Sequence, residues 1–207
     1  MLKWPGPKPL KKYIKNLPEY PKTPGTPPRC EACEKGKATK PPSLKSKVGR
    51  RRTKQPLERI HCNLVGPIKP PTPGKQHQYL LVVTNDYTRY MSAKPVRTKD
   101  ETGNALIEII NILEKAAEYL VKMIQADWGG EFRNKDLQTE LRQRGIQLKE
   151  TVPRHSETNA VAERANRTIF TMSRTALIAA EIPKGYWDKA SLWAVYVKDR
   201  LPHMRQY

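Results

Sequence analysis

Asp127 and Glu163 stand with 35 residues between them, and each occupies a position from which a carboxylate can be presented. Asp127 closes the apolar run Val121 to Ala126 and leads into Trp128-Gly129-Gly130. Glu163 lies inside Asn159-Ala-Val-Ala-Glu-Arg-Ala-Asn-Arg167. A strand-end aspartate and a helix-borne glutamate can converge on a divalent cation, and a cation held that way suits phosphodiester chemistry on nucleic acid. A third ligand decides whether such a site works. On a neighbouring strand, within Ile60-His-Cys-Asn-Leu-Val-Gly-Pro67, the residue in the place of an expected acid is Asn63.

The elements that must position these residues follow from periodicity. Residues 57–65 alternate as a strand, with Ile60, Cys62 and Leu64 on one face and His61, Asn63 and Val65 on the other. Gly66-Pro67 ends it. Tyr79 to Thr84 forms a second strand, Asn85-Asp86 a turn, and Tyr87 to Pro95 a third strand, an antiparallel meander. A helix follows from Asp100 to near Tyr119, carrying Leu106, Ile109, Ile110 and Leu113 at helical spacing. Val121 to Ala126 reads as a short buried strand, Asn134 to Arg144 as a helix stopped by Gly145, and Ile146 to Leu148 as the last strand.

In the helix after Ser156, a rotation of 100° per residue places Val161, Ala165, Ile169, Met172 and Ala176 on one stripe. Glu163, Arg167, Phe170 and Arg174 fall on the other side, so periodicity leaves Glu163 facing either a cleft or solvent. A final helix begins at Pro183 and buries Trp187, Ala190, Ala194 and Val195. Three antiparallel strands, helix, strand, helix, strand and helices give an α/β, ribonuclease H-like layout: a mixed five-stranded sheet flanked by helices over residues 57–207.

Composition supplies a partner class. The 207 residues hold 39 Lys and Arg against 20 Asp and Glu, a net charge of +19, which suits a polyanion whose counterions are released on contact. Residues 1–56 concentrate that charge, with 16 Lys and Arg against 3 Glu, a surplus of 13, and they contain 11 of the 19 prolines. Such a segment favours extended, solvated backbone. We read it as a basic arm for nucleic acid, with Arg50, Arg51, Arg52 and Lys54 abutting the folded region; the plainer reading is a charged linker. No apolar run approaches the roughly 18 residues of a membrane span, and no signal peptide opens the chain. Three cysteines suit a reducing compartment, so an intracellular, soluble protein is expected.

Taken together, Cys30-Glu-Ala-Cys33 with Gly36-Lys37, His61-Cys-Asn-Leu-Val-Gly-Pro67, Tyr87-Thr-Arg89, Asp127-Trp-Gly-Gly-Glu-Phe132, Asn159 to Arg167 and Leu201-Pro202 resemble the integrase of copia-type retrotransposons. The resemblance runs across nearly all of residues 30–207. It implies a polynucleotidyl transferase performing 3′-end processing and strand transfer, with three carboxylates holding two Mg²⁺ or Mn²⁺ ions. The matching positions here are Asn63, Asp127 and Glu163. It also implies DNA as partner, both element ends and target, with RNA as a further candidate. Homo-oligomers, no membrane and the nucleus as compartment complete the expectation, and Arg154, Arg167 and Arg174 join the arm as candidate phosphate contacts.

Three departures qualify it. Asn63 can lend a carbonyl oxygen but removes a negative charge from between two dications, worth about 4 kcal/mol per ion as an upper scale at an effective dielectric near 20. Because about 1.4 kcal/mol is tenfold in rate, a crippled enzyme is expected. Asp86, one strand across, is the candidate substitute ligand; its simpler reading is a turn aspartate beside Asn85. Cys30 and Cys33 look like the remnant of a His₂Cys₂ zinc site, but no histidine precedes His61, so Zn²⁺ is not expected here. The chain also starts inside the family's zinc region and stops before its DNA-binding tail, so it reads as a fragment. The alternative function is a non-catalytic nucleic-acid binder derived from a transposable element.

The arm yields the first expected outcome. Removing residues 1–56 should flatten the dependence of log K on log salt for duplex DNA by several units, because each neutralised phosphate contributes close to one unit. An unchanged slope in a fluorescence titration would reduce the segment to a linker.

Overall fold

The computed structural model of the chain describes residue 31 and residues 53–126, 130–132, 134–150 and 160–201. Its centre is a five-stranded sheet built from β1 (Ile60–Val65), β2 (Tyr79–Asn85), β3 (Met91–Val96), β4 (Met123–Ala126) and β5 (Gln147–Glu150). The spatial order is β3-β2-β1-β4-β5, with β1 antiparallel to β2 and parallel to β4. Helices α1 (Thr102–Ala117), α2 (Lys135–Gln143), α3 (Ala160–Ala179) and α4 (Trp187–Arg200) complete the fold. This is the mixed α/β layout expected from the order of elements.

Two cores result, one on each face of the sheet. Ile60, Cys62, Leu81, Val83 and Ile124 pack with Leu106, Ile110, Leu137 and Leu141, so α1 and α2 cover one face. Leu80 and Val82 pack with Ala165, Ile169, Met172, Ala194 and Val195, so α3 and α4 cover the other. That accounts for Tyr79 to Val83 being almost continuously apolar: a central strand buried on both faces cannot alternate apolar with polar residues. Cys62 is fully buried, and desolvation pushes its thiol far above the ordinary range. It behaves as a small apolar side chain.

Element ends match the local chemistry. Gly66 at the end of β1 has φ +149°, and a Cβ there would come within 2.5 Å of the Tyr79 ring and 2.6 Å of the Gln78 carbonyl, so only glycine fits. Asn134 caps α2 by accepting the Asp136 backbone N–H at 2.9 Å, and Gly145, at φ +69°, takes the chain out of the helix. The expected strand start at Leu57 shifts to Ile60, because Leu57 adopts φ +58° and plugs the first core. The third strand likewise starts at Met91, since Tyr87 to Tyr90 form a turn with Arg89 at φ +65°. The packed region reaches back to Thr53, four residues before the expected boundary at 57, as Thr53 is buried.

The long connection between β1 and β2 is held against α4. Trp187 donates its indole N–H to the Pro70 carbonyl at 3.1 Å, and His77 Nδ1 lies 3.3 Å from the buried Asp188 carboxylate. At its other end, α4 caps an edge strand. Both Asp199 oxygens lie 3.1 Å from the Met91 N–H, and Lys198 donates to the Arg89 carbonyl and to Asp199 Oδ1 at 3.2 Å.

Burial disfavours both charges of that pair, raising the Asp199 pKa and lowering that of Lys198 despite their mutual attraction. A carboxyl whose folded pKa lies above its unfolded value stabilises the fold below the unfolded pKa. That contribution is lost as pH rises through the folded pKa. The stability of the wild type relative to Asp199→Asn should therefore decline as pH is raised from below 3.8, the ordinary value, through the elevated one. Urea melts at a series of pH values read this directly; a difference that rises with pH would contradict the desolvated placement.

Candidate active site

Strand register puts Asn63 on the face covered by α3. In an antiparallel pair, directly opposed residues share a face, and Asn63 stands opposite Val82, a member of the α3 and α4 core. Cys62 points the other way, toward α1. On its second side β1 runs parallel to β4, and the last pair of that ladder is Cys62 with Ala126. Asn63 and Asp127 are the next residues in sequence after that pair. Asp127 itself lies outside the described residues, as do Arg50, Arg51, Arg52, Arg154, Cys30 and Cys33.

Glu163 is in the first turn of α3 and exposed. The buried stripe of this helix is Ala162, Ala165, Ile169 and Met172, with Thr171 and Ser173 beside it, while Glu163, Arg164, Arg167 and Arg174 are exposed. Periodicity had left the direction of Glu163 open, and burial assigns it to the accessible side. Phe170 is half-buried against the second core rather than standing with the charged residues, and Val161 has no described side chain. Acidic character near a helix N-terminus also stabilises the helix by about 0.3–1 kcal/mol through the macrodipole, the plain structural role for Glu163. Lys54 is exposed, its backbone N–H donating to Glu58 Oε2 at 2.7 Å.

Asp86, the candidate substitute ligand, stands at a different level of the sheet from Asn63. Antiparallel pairing sets Asn85 opposite Ile60, and the Asp86 N–H donates to the Arg59 carbonyl at 2.9 Å, so Asp86 belongs at the start of β1. Four residues of strand separate that level from Asn63, about 13 Å. The side chain is also committed. Its Oδ1 accepts from Arg89 Nη1 at 2.9 Å and lies 3.3 Å from His61 Nε2. Oδ2 accepts from Thr53 Oγ1 at 3.3 Å, with Arg59 Nη1 at 3.9 Å. Only 3 % of the Asp86 side chain and none of His61 is exposed.

This buried ionic cluster is what reading the sequence missed. Its signals were available: Arg59 immediately before the strand, Arg89 three residues after Asp86, and His61 on the non-core side of the alternation. Among the described residues, no group of three or more His, Cys, Asp and Glu side chains stands close enough to hold a metal ion.

No protein-family profile matches the chain. A curated relative does: the retrovirus-related Pol polyprotein from transposon TNT 1-94 of Nicotiana tabacum, 28% identical over 146 residues. The match covers 70% of this chain and 11% of the relative, so the chain spans about a tenth of that polyprotein. Among solved structures, a chain of the simian T-cell lymphotropic virus intasome, determined by cryo-EM in complex with PP2A regulatory subunit B56 gamma, superimposes with a TM-score of 0.62. Identity is 17%, covering 84% of this chain and 59% of that one, so the likeness concerns the fold. The resemblance to the integrase of copia-type retrotransposons, read from the motifs, thus finds an aligned relative and a matching fold.

The cluster and the exposed glutamate should respond oppositely to substitution. Asp86→Ala leaves Arg59, His61 and Arg89 around an uncompensated site and should cost about 3–5 kcal/mol in a denaturant melt. Glu163→Gln should cost less than about 1 kcal/mol. Equal effects would mean that Asp86 is not the structural carboxylate described.

Proposed function

We propose that this chain is the catalytic-core region of a DNA-integration protein, a metal-dependent polynucleotidyl transferase by ancestry, whose metal site is one carboxylate short. The observation that carries the proposal is the register of β1, which sets Asn63 on the α3 face directly after the Cys62–Ala126 pair. Asp86, the nearest candidate for rescue, is consumed by the ionic cluster.

The donor chemistry fits one divalent cation held loosely. The carboxylates of Asp127 and Glu163, with the Asn63 amide oxygen, would hold it, with water as the other oxygen donor. When bound, such an ion supplies Lewis-acid activation of a phosphoryl oxygen or of water. It does not fit two ions, because two dications would meet a donor set carrying only two negative charges. What this chain's own residues do is bind and orient. Arg167 and Arg174, exposed on the same helix as Glu163, would meet phosphates, as would Arg154, Lys54 and the Arg50–Arg52 run. Base sequence matters little to such contacts. DNA is accordingly the proposed partner, the nucleus the proposed compartment, and self-association on the DNA the proposed assembly. Should the metal site prove beyond repair, the same cationic residues support a binder without chemistry.

Asn63→Asp tests the proposal in the full chain. Calorimetry should show Mg²⁺ binding at millimolar strength or weaker before the change and at least about tenfold tighter after it, the worth of roughly 1.4 kcal/mol. Nicking of a branched DNA substrate with Mn²⁺ should appear with the restored carboxylate and vanish on adding Asp127→Asn. Cleavage by the unsubstituted chain that Asp127→Asn stops would refute the lesion at Asn63. No gain in a folded, DNA-binding Asn63→Asp protein would refute its dominance.

A further inference from the structure

At the opposite edge of the sheet from β3, β5 pairs with β4 on one side only, and among the described residues no strand covers its outer side. An uncovered edge presents backbone N–H and C=O groups without ladder partners. Beside it runs a groove of about 530 Å³ between β5 and α2, lined by Gln138, Leu141, Arg142, Ile146, Leu148 and Lys149. Its floor is apolar: Leu141 and Ile146 are buried, and Leu148 is half-buried against the α1 and α2 core. Its rim is cationic. Arg142 and Lys149 are exposed and have no ion-pair partner among the described residues, whereas the neighbouring Arg144 is satisfied by Glu140 at 2.7 Å.

We propose that this edge is a docking site for an extended acidic peptide segment, added to β5 as a sixth strand. Three arguments select that occupant. An added strand answers both the donors and the acceptors of the edge backbone, which a nucleic-acid backbone, lacking N–H groups, does not. Period-two alternation then sends alternate side chains to opposite faces: apolar ones toward Leu148, Leu141 and Ile146, and the others to the face of Lys149. Opposite charges facing each other across a strand pair stabilise it, and like charges destabilise it. The cationic Lys149 and Arg142 therefore favour a strand of alternating apolar and acidic residues. This surface is independent of Asn63 and Glu163, and the inference does not rest on the integration reading.

The test uses the full chain and an end-blocked octapeptide alternating valine and aspartate, followed by anisotropy and by amide hydrogen exchange. The basic arm also attracts acidic peptides, so the site-specific readout decides. Protection should appear at the amides of residues 147–150. Arg142→Glu with Lys149→Glu should weaken the aspartate peptide about tenfold and admit the matching valine and lysine peptide. Both positions are exposed, and the milder Lys149→Gln gives the same direction with circular dichroism as the fold control. Absence of protection on β5, or an affinity indifferent to both substitutions, would overturn the proposal. So would a DNA duplex that displaces the peptide and itself protects those amides, since the groove would then be a nucleic-acid surface.

Discussion

Because the side-chain period of a strand is two residues, the register of β1 fixes which of its residues reach α3 and which reach α1. A slip of one position would exchange Asn63 for Cys62, turn a thiol toward the candidate site and force an amide into the core beneath α1. Two ladders prevent it. Pairing with β2 runs over six residues of β1, and the parallel ladder with β4 ties the same strand from its other side. The position of Asn63 on the α3 face, and its distance along the strand from the level of Asp86, follow from that double constraint.

The ionic cluster around Asp86 shows how one carboxylate can be spent. Thr53, Arg59, His61 and Arg89 come from the segment before β1, from β1 itself and from the turn between β2 and β3, so Asp86 closes one end of the sheet. A buried charge costs several kcal/mol to desolvate, and only multiple partners offset that cost. A carboxylate engaged this fully has few lone pairs left for a metal ion. The exposed Glu163 is in the reverse condition, making a small contribution to folding with its side chain open to solvent.

Strand and helix identities were legible because the apolar pattern is strong where the protein is buried. Tyr79 to Val83 and the Leu106, Ile109, Ile110 and Leu113 stripe announce themselves, and Asn134 and Gly145 mark the ends of α2 as capping chemistry requires. What escaped was set by partners distant in sequence. Leu57 adopts a left-handed backbone conformation that its residue type does not suggest, because the first core has a place for it. Asp86 looked like a turn residue or a spare ligand until Arg59 and His61, 27 and 25 positions earlier, were brought beside it by antiparallel pairing. Burial likewise placed Glu163 on the accessible side of α3, which spacing alone had left open.

The start of β1 and its middle therefore stand under unequal constraint. Substitutions around Asp86 endanger the folded state itself and are removed whenever the protein must exist at all. Half-buried Asn63 and exposed Glu163 lie where replacement leaves stability almost untouched, so random drift can erase chemistry there without any folding defect to expose it. In a lineage released from selection for catalysis, the architecture would outlast the reaction, and shape would remain a faithful record of descent long after it ceased to report activity.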